Sequence, residues 1–399
     1  MDPIQQIRQF NAGRDPQLLA IKYAKMRASA FTFFRGTCHL FYDRLSKDSP
    51  IEESPLVWAC GDLHLENFGS YKADNRLVYF DINDFDEAAL APVGWDLVRM
   101  LTSVMVGSDG FNSDASGENN LGATFLDAYV SSLTTGKPYW VERETATGPV
   151  RALLDGLRER SREQFLDART ALKGKRRLIH LDGKKELPIS IAQRASIAEF
   201  MASFAQNQSD PAFFEVLDIA RRIAGTGSLG VDRFAILVQG KGSPNGNYLL
   251  DLKRAVSSTL AGHLDFKQPI WLNEAHRIVE LQQRIQAVPM AFLRPVQVGT
   301  AAYVLRGLQP LEDRISFTPL NLTLPELQEL LATMGKVTAW AHLRGAGRQG
   351  AAIVDELIEF GHNKKWNFEL LTMSRSCAQQ VRQDAASFDE AFGQGAFND

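Results

Sequence analysis

Apolar positions first recur at helical spacing over residues 16–46. Leu18, Leu19, Ile21, Tyr23 and Met26 lead into the strongly apolar stretch "FTFFRGTCHLFYDRL". Two strand-like runs follow, "PLVWACGD" and "RLVYFDIND", joined by a polar turn that contains "KADN". After Pro92 the spacing returns to that of a helix, with Leu97, Met100, Leu101 and Val104 on one face of "GWDLVRMLTSVMV". Residues 117–223 are predicted to be mostly helical. The exception is 176–189, which reads as two short strands about an Asp-Gly turn. "RFAILVQG" and "NYLLDLKRA" are then β patterns, joined by the turn-forming "KGSPNG". "NEAHRIVELQQRIQ" predicts a helix, "AAYVLRGL" another strand, and the chain is helical again from Leu324 to about Ser387. The resulting order is helices, a small β unit, helices, a compact β-rich block and helices.

Composition narrows the class. The 399 residues are 45% hydrophobic and 23% charged with a net charge of −3, which is ordinary for a globular chain of one or two domains. No basic field points to nucleic acid, and no apolar run reaches the ~20 residues of a membrane span. The N-terminus lacks the order of a signal peptide. Cys38, Cys60 and Cys377 fit neither a disulfide nor a zinc spacing. A soluble cytoplasmic protein is expected. Lys173, Lys175, Arg176 and Arg177 read as a solvated face.

Candidate chemistry sits in two stretches. "GDLHLENFG" carries Asp62 and Asn67, and about twenty residues on come Asp81, Asp84 and Asp86. Carboxylates and an amide carbonyl at this density suit magnesium, a hard ion that takes oxygen ligands, water and phosphate. Gly225, Gly227 and Gly230 form G-x-G-x-x-G ahead of a β pattern. Glycines between antiparallel strands make a flap whose backbone can approach phosphates closely. Lys253 closes the apolar run "LLDLKRA", and Glu280 in "RIVELQQ" is available as its ion-pair partner.

Together these parts resemble a protein-kinase-like phosphotransferase. "GDLHLEN" and "NDFDEA…VGWDL" look most like the aminoglycoside and choline kinase branch. More closely, "FFRGT", "GDLHLENFG", "DINDFDEA", "GTGSLG", "LDLKRA" and "RIVELQQ", in this order, resemble the bacterial family catalogued as domain of unknown function 2252. The resemblance spans most of the chain and implies an α+β, two-lobed kinase-like fold. It implies Asp62 as the catalytic-loop carboxylate that accepts the substrate proton. Asn67 and Asp84 become magnesium ligands, with Asp81 as the alternative to Asp84. Lys253 holds the α- and β-phosphates, with Glu280, or alternatively Glu274, as its partner. Gly225, Gly227 and Gly230 form the nucleotide flap, and Asp96 fixes the catalytic loop. Two departures stand out: Cys60 occupies the place of a histidine, and no glycine follows "DF" at 84–85.

The order of the parts is reversed relative to ordinary kinases, because the catalytic loop precedes the flap. A circular permutation is therefore expected, with a helical lobe over 1–216 and a small β-rich nucleotide lobe over 217–315. Helices over 316–399 would complete the large lobe. The hinge falls at "YVLRGLQPLED", where adenine is expected to stack on apolar side chains. The expected cofactors are ATP and Mg²⁺, and the expected partners a nucleotide and a phosphate acceptor, a small molecule being favoured; neither nucleic acid nor membrane is expected. A kinase-like adenylyltransferase acting on protein and a regulatory, nucleotide-binding pseudokinase are the alternatives. A dinuclear phosphoesterase would need downstream G-D-x-x-D and G-N-H stretches, and neither is present. "FFRG" at 33–36 reads as core plus a buried ion pair, and His64 as a contact to phosphate, to acceptor or to its own loop.

Overall fold

The computed structural model describes residues 2–45, 49–108, 115–310, 313, 315, 322–363 and 365–397. Four helices open the chain: α1 (Pro3–Asn11), α2 (Pro16–Met26), α3 (Ala30–Gly36) and α4 (Cys38–Arg44). Asp2 and Asp15 cap the first two, each accepting a backbone N–H of the first turn, and each helix begins on proline.

The small β unit pairs differently from the two-run pattern predicted. β1 (Leu56–Ala59) pairs with β4 (Ala89–Pro92), not with the "RLVYFDIND" run. That run, β3 (Val78–Ile82), forms a hairpin with β2 (Phe68–Lys72), and β5 (Val141–Glu142) adds to its outer edge. The reason is geometric: the "KADN" turn sits directly after β2, and a short turn joins the strands that flank it. β2 itself, "FGSYK", offered no alternation to detect.

The helical body is built from α5 (Val93–Gly107), α6 (Ala115–Thr134), α7 (Gly148–Glu159), α11 (Leu324–Gly345), α12 (Val354–His362) and α13 (Lys365–Gly393). Helix α5 is buried on every side over 93–106, so it runs through the core. Helices α6 and α11 approach closely at Gly335, where a Cβ would lie 2.4 Å from the Phe125 carbonyl oxygen.

The larger sheet is antiparallel, in the order β12-β13-β11-β10-β9-β8, curled into a half-barrel. Its strands are β8 (Glu186–Leu187), β9 (Val216–Arg222), β10 (Arg233–Val238), β11 (Tyr248–Arg254), β12 (Arg294–Val298) and β13 (Ala301–Gly307). Strand alternation gives it two unlike faces. Ile236, Leu250, Leu252 and Leu305 pack beneath α9 (Ile191–Gln206), against Ile197 and Met201. The other face carries Arg233, Asp251, Lys253 and Arg306, all buried against the rest of the chain. Part of that face is covered by α8 (Arg162–Asp167), through Leu166, and by the hairpin β6 (Thr170–Lys173)–β7 (Arg176–Ile179), through Ile179.

Two expectations change here. Residues 216–222, expected to be helical, are strand β9; "VLDIARR" is too short for periodicity to decide, and pairing with β10 decides it. Because β8 and α9 also belong to the sheet unit, that unit draws on residues ahead of position 217. Helix α10 (Glu274–Ile285) lies between β11 and β12 and packs into the main core through Ile278, Val279 and Leu281. The chain is thus mixed α+β. No helix among the described residues is long and apolar enough to cross a membrane.

Candidate functional site

Strand β1 delivers the loop 60–67, and backbone geometry dictates its first residues. Gly61 has φ +80°, and a Cβ there would lie 2.3 Å from the Glu87 carbonyl oxygen. Asp96, in the first turn of α5, accepts the N–H of Cys60 at 2.7 Å and of Gly61 at 2.9 Å. Its own Oδ2 lies 3.3 Å from His342 Nε2, and His342 Nδ1 is 2.9 Å from the Tyr129 hydroxyl. Three helices therefore hold one turn. Cys60 braces the loop as well, its thiol donating to the Asp84 carbonyl at 3.2 Å. His64 accepts the Glu66 N–H at 3.1 Å, so it contacts its own loop.

Asp62, His64 and Asn67 of this loop line a pocket. Asp62 is held by Arg99, whose Nε and Nη2 both meet Oδ1, the first at 2.8 Å. Arg99 is fully buried, stacked 4.2 Å from the Phe34 ring and 4.9 Å from Phe41. Burial opposes its charge, but Asp62, Cys38 and Tyr42 together outweigh this and its pKa rises. Asn67 is oriented by its amide nitrogen, which donates to the carbonyls of Asp62 and Asp84 at 3.1 Å each. Its Oδ1 is buried with no partner. A buried acceptor without a donor is costly, and a cation would satisfy it.

Opposite stands the charged end of β11. Lys253 Nζ pairs with Asp86 and lies 3.6 Å from Asp84 Oδ2, with 6% of its side chain exposed. Arg277 of α10 fixes this carboxylate loop, donating to the carbonyls of Ala88 at 2.6 Å and Asp86 at 2.8 Å. Glu274 in turn holds Arg277 at 2.6 Å. Glu87 accepts the N–H and hydroxyl of Thr259 at 2.6 and 2.9 Å, and burial pushes its carboxyl up.

The glycine segment joins β9 to β10, the antiparallel setting expected for a flap. Gly225 and Gly230 have φ of +77° and +91°. The flap is tethered by Arg14, between α1 and α2, and by Lys22 of α2. Arg14 Nη1 donates to the carbonyls of Gly227 at 3.0 Å and Leu229 at 3.3 Å; Lys22 Nζ donates to the same Gly227 oxygen at 3.0 Å. Because a peptide plane is rigid, a carbonyl drawn outward sends the next N–H the other way. The Ser228 N–H thus faces away from the tether, and it has no acceptor among the described residues. Lys22 is fully buried, and its Nζ is also bound to Asn11 Oδ1 at 2.8 Å; burial holds its pKa well below the usual lysine range.

All of this encloses one cavity of ≈ 220 Å³. Asp62, Asn67, Asp84, Gly225, Gly227 and Lys253 line it together, although they lie far apart in the chain. Four expected residues do not. Asp81 accepts the N–H groups of Ile82 and Ala287 at 2.8 and 2.9 Å and faces Arg344, so Asp84, not Asp81, stands at the pocket. Glu280 is exposed on α10, and the ion pairs of Lys253 go to Asp84 and Asp86 instead. Glu274 is spent on Arg277. Gly230 lies just outside the lining, its Cβ position 2.8 Å from Arg14 Cβ. Arg35 pairs with Glu66, so the ion pair expected for "FFRG" forms, but it is half-buried rather than buried, and Arg35 lines the cavity. Sequence reasoning missed Arg99, Glu87, Arg14 and Lys22. Of these only Arg99 left a signal, a cation inside an otherwise apolar helical run.

The donor set fits magnesium. That ion keeps several waters and takes one or two protein oxygens beside phosphate, which Asn67 Oδ1 and Asp84 supply. Among the described residues no cluster of three or more His, Cys, Asp or Glu could cage an ion without such help.

Fold and site define a mixed α+β protein with a polar pocket between a half-barrel sheet and a helical body. Over residues 14–391 the chain matches the family described as "Uncharacterized protein conserved in bacteria (DUF2252)", and it belongs to that family. No curated protein and no solved structure matches it.

Proposed function

We propose that the chain is a magnesium- and ATP-dependent phosphotransferase with a circularly permuted kinase-like architecture, acting on a small-molecule hydroxyl. The observation that carries this is the meeting of Asp62, Asn67 and Asp84 with Lys253 and the flap in one pocket. When bound, magnesium would neutralise charge on the phosphate oxygens. Lys253, now balanced by Asp84 and Asp86, would turn to the phosphates, and the flap N–H groups would fix their position. Asp62, with Oδ1 held by Arg99, would orient the acceptor hydroxyl and take its proton. Most of the rate would come from placement and charge stabilisation.

The test is calorimetric titration with ATP, with and without magnesium, on the wild type and on Asn67→Ala and Lys253→Met. Magnesium-dependent affinity, lost by about tenfold or more in each variant, is expected. Incubation with ATP labelled at the γ-phosphate should label an acceptor. Label arriving only from the α-phosphate would make the protein an adenylyltransferase, and binding without transfer a pseudokinase. Absence of any magnesium-dependent binding would refute all three.

A further inference from the structure

Arg14 and Glu87 face one cavity and do not pair. Of the charged side chains that line it, Asp62 pairs with Arg99, Arg35 with Glu66, and Lys253 with Asp84 and Asp86. Arg254 is exposed to solvent. Arg14 and Glu87 are left, and neither forms an ion pair with any described residue. Opposite charges in an enclosed space ordinarily close on each other. These two are held apart by their own tethers. Arg14 Nη1 is spent on the Gly227 and Leu229 carbonyls, and the guanidinium stacks 4.7 Å from the Phe10 ring. Its Nε and Nη2 donate to no described residue. Glu87 Oε2 is spent on the N–H and hydroxyl of Thr259, and its backbone carbonyl on the Ser258 hydroxyl. Its Oε1 accepts from no described residue. Glu87 also adjoins the catalytic loop: burial first, and then the charge of Asp62, push its carboxyl up.

Resting on the phosphotransferase reading above, we propose that the phosphate acceptor is a small zwitterion that carries a hydroxyl, its carboxylate taken by Arg14 and its ammonium by Glu87. The free edge of a guanidinium is a fork that matches the two oxygens of a carboxylate. The free Glu87 oxygen accepts from an ammonium, which also relieves the repulsion between Glu87 and Asp62. The acceptor hydroxyl then meets Asp62, the neighbour of Glu87. The Ser228 N–H, the flap donor for phosphate, faces away from Arg14 and leaves that guanidinium edge to the acceptor. A charged group left unpaired in an enclosed site is costly, so a molecule lacking either charge binds less well.

The experiment titrates the full chain, in magnesium and ADP so that no transfer occurs, with L-serine, ethanolamine and glycerate, and with 4-hydroxy-L-proline as a second zwitterion of different span. Ethanolamine lacks the carboxylate of serine, and glycerate carries a hydroxyl in place of its ammonium. At least one zwitterion should bind about tenfold or more tighter than both single-charge compounds. Arg14→Gln should abolish the preference over ethanolamine and Glu87→Gln that over glycerate, each ratio falling to about threefold or less. Each ratio is measured on one protein, so a general loosening of the flap does not produce the change. A zwitterion preference below about tenfold, ratios that survive both substitutions, or no binding of any of the four compounds overturns this inference alone. Absence of magnesium-dependent ATP binding by the same protein overturns the phosphotransferase reading itself.

Discussion

Asp62 and Arg99 set what a single substitution can reveal. Arg99 is fully buried and Asp62 is its carboxylate partner, so Asp62→Ala leaves a charge stranded in the core. Such a variant should lose roughly 3 kcal/mol of stability by urea denaturation, and its inactivity would say little about chemistry. Asp62→Asn keeps an acceptor oxygen for Arg99. It should lose less stability than Asp62→Ala, since the hydrogen bond survives without the counter-charge, while losing ~10²–10⁴ in turnover. His39 makes a second prediction at this scale. It is buried against Phe10, with ring centroids 3.9 Å apart; burial first, then the charges of Lys22, Arg14 and Arg99, lower its pKa to about 3. The unfolded chain takes up this proton near pH 6.5, whereas the folded protein does not. The stability His39 contributes is therefore complete above pH 6.5 and is lost as pH falls from 6.5 toward 3. By pH 4.5 the loss should reach roughly 2–3 kcal/mol, and His39→Phe should flatten the profile over that window. Equal acid sensitivity of the two proteins would show that His39 is not the group responsible.

At the scale of elements, the flap is a hairpin connection shaped by helices it does not belong to. Lys22 reaches the Gly227 carbonyl from α2 and is buried with no carboxylate among the described residues bound to its Nζ. Burying an ammonium so is costly. Lys22→Met should therefore raise stability by about 1–2 kcal/mol in thermal unfolding. The same change removes one of the two donors on the Gly227 carbonyl, leaving Arg14, so magnesium-dependent ATP affinity should fall by about threefold. A parallel loss of stability and affinity would mean that the lysine supports packing alone. The catalytic-loop turn is equally local in cause. Gly61→Ala must place a Cβ against the Glu87 carbonyl at positive φ, and should cost roughly 2–4 kcal/mol.

At the scale of the whole molecule, the pocket joins the sheet to the helical body through Lys253, Asp84 and Asp86, and Arg14 and Lys22 of the N-terminal segment hold the flap. A ligand held there should stabilise both parts together. At a hundredfold excess over its dissociation constant, magnesium ATP should add ~2.7 kcal/mol to a single cooperative transition. A calorimetric trace in which one component moves and another stays would separate the two parts and remove the bridging pocket.

The chain's own order of residues determined a good deal. The apolar run before Cys60, the turn chemistry of "KADN", and the density of Asp, Asn and Gly each act locally, over a few residues. They marked the loop at 60–67, the carboxylates at 84 and 86, and a glycine flap ahead of a strand. Tertiary structure alone decided which of them face one another. It drew Asp81 off to Arg344, left Glu280 in solvent and gave Lys253 two aspartates in place of a glutamate. It also brought Arg99, Arg14 and Lys22 to the site. Those choices depend on contacts between segments from 37 to more than 200 residues apart, where burial and peptide orientation outweigh any local preference, and no short-range pattern encodes them.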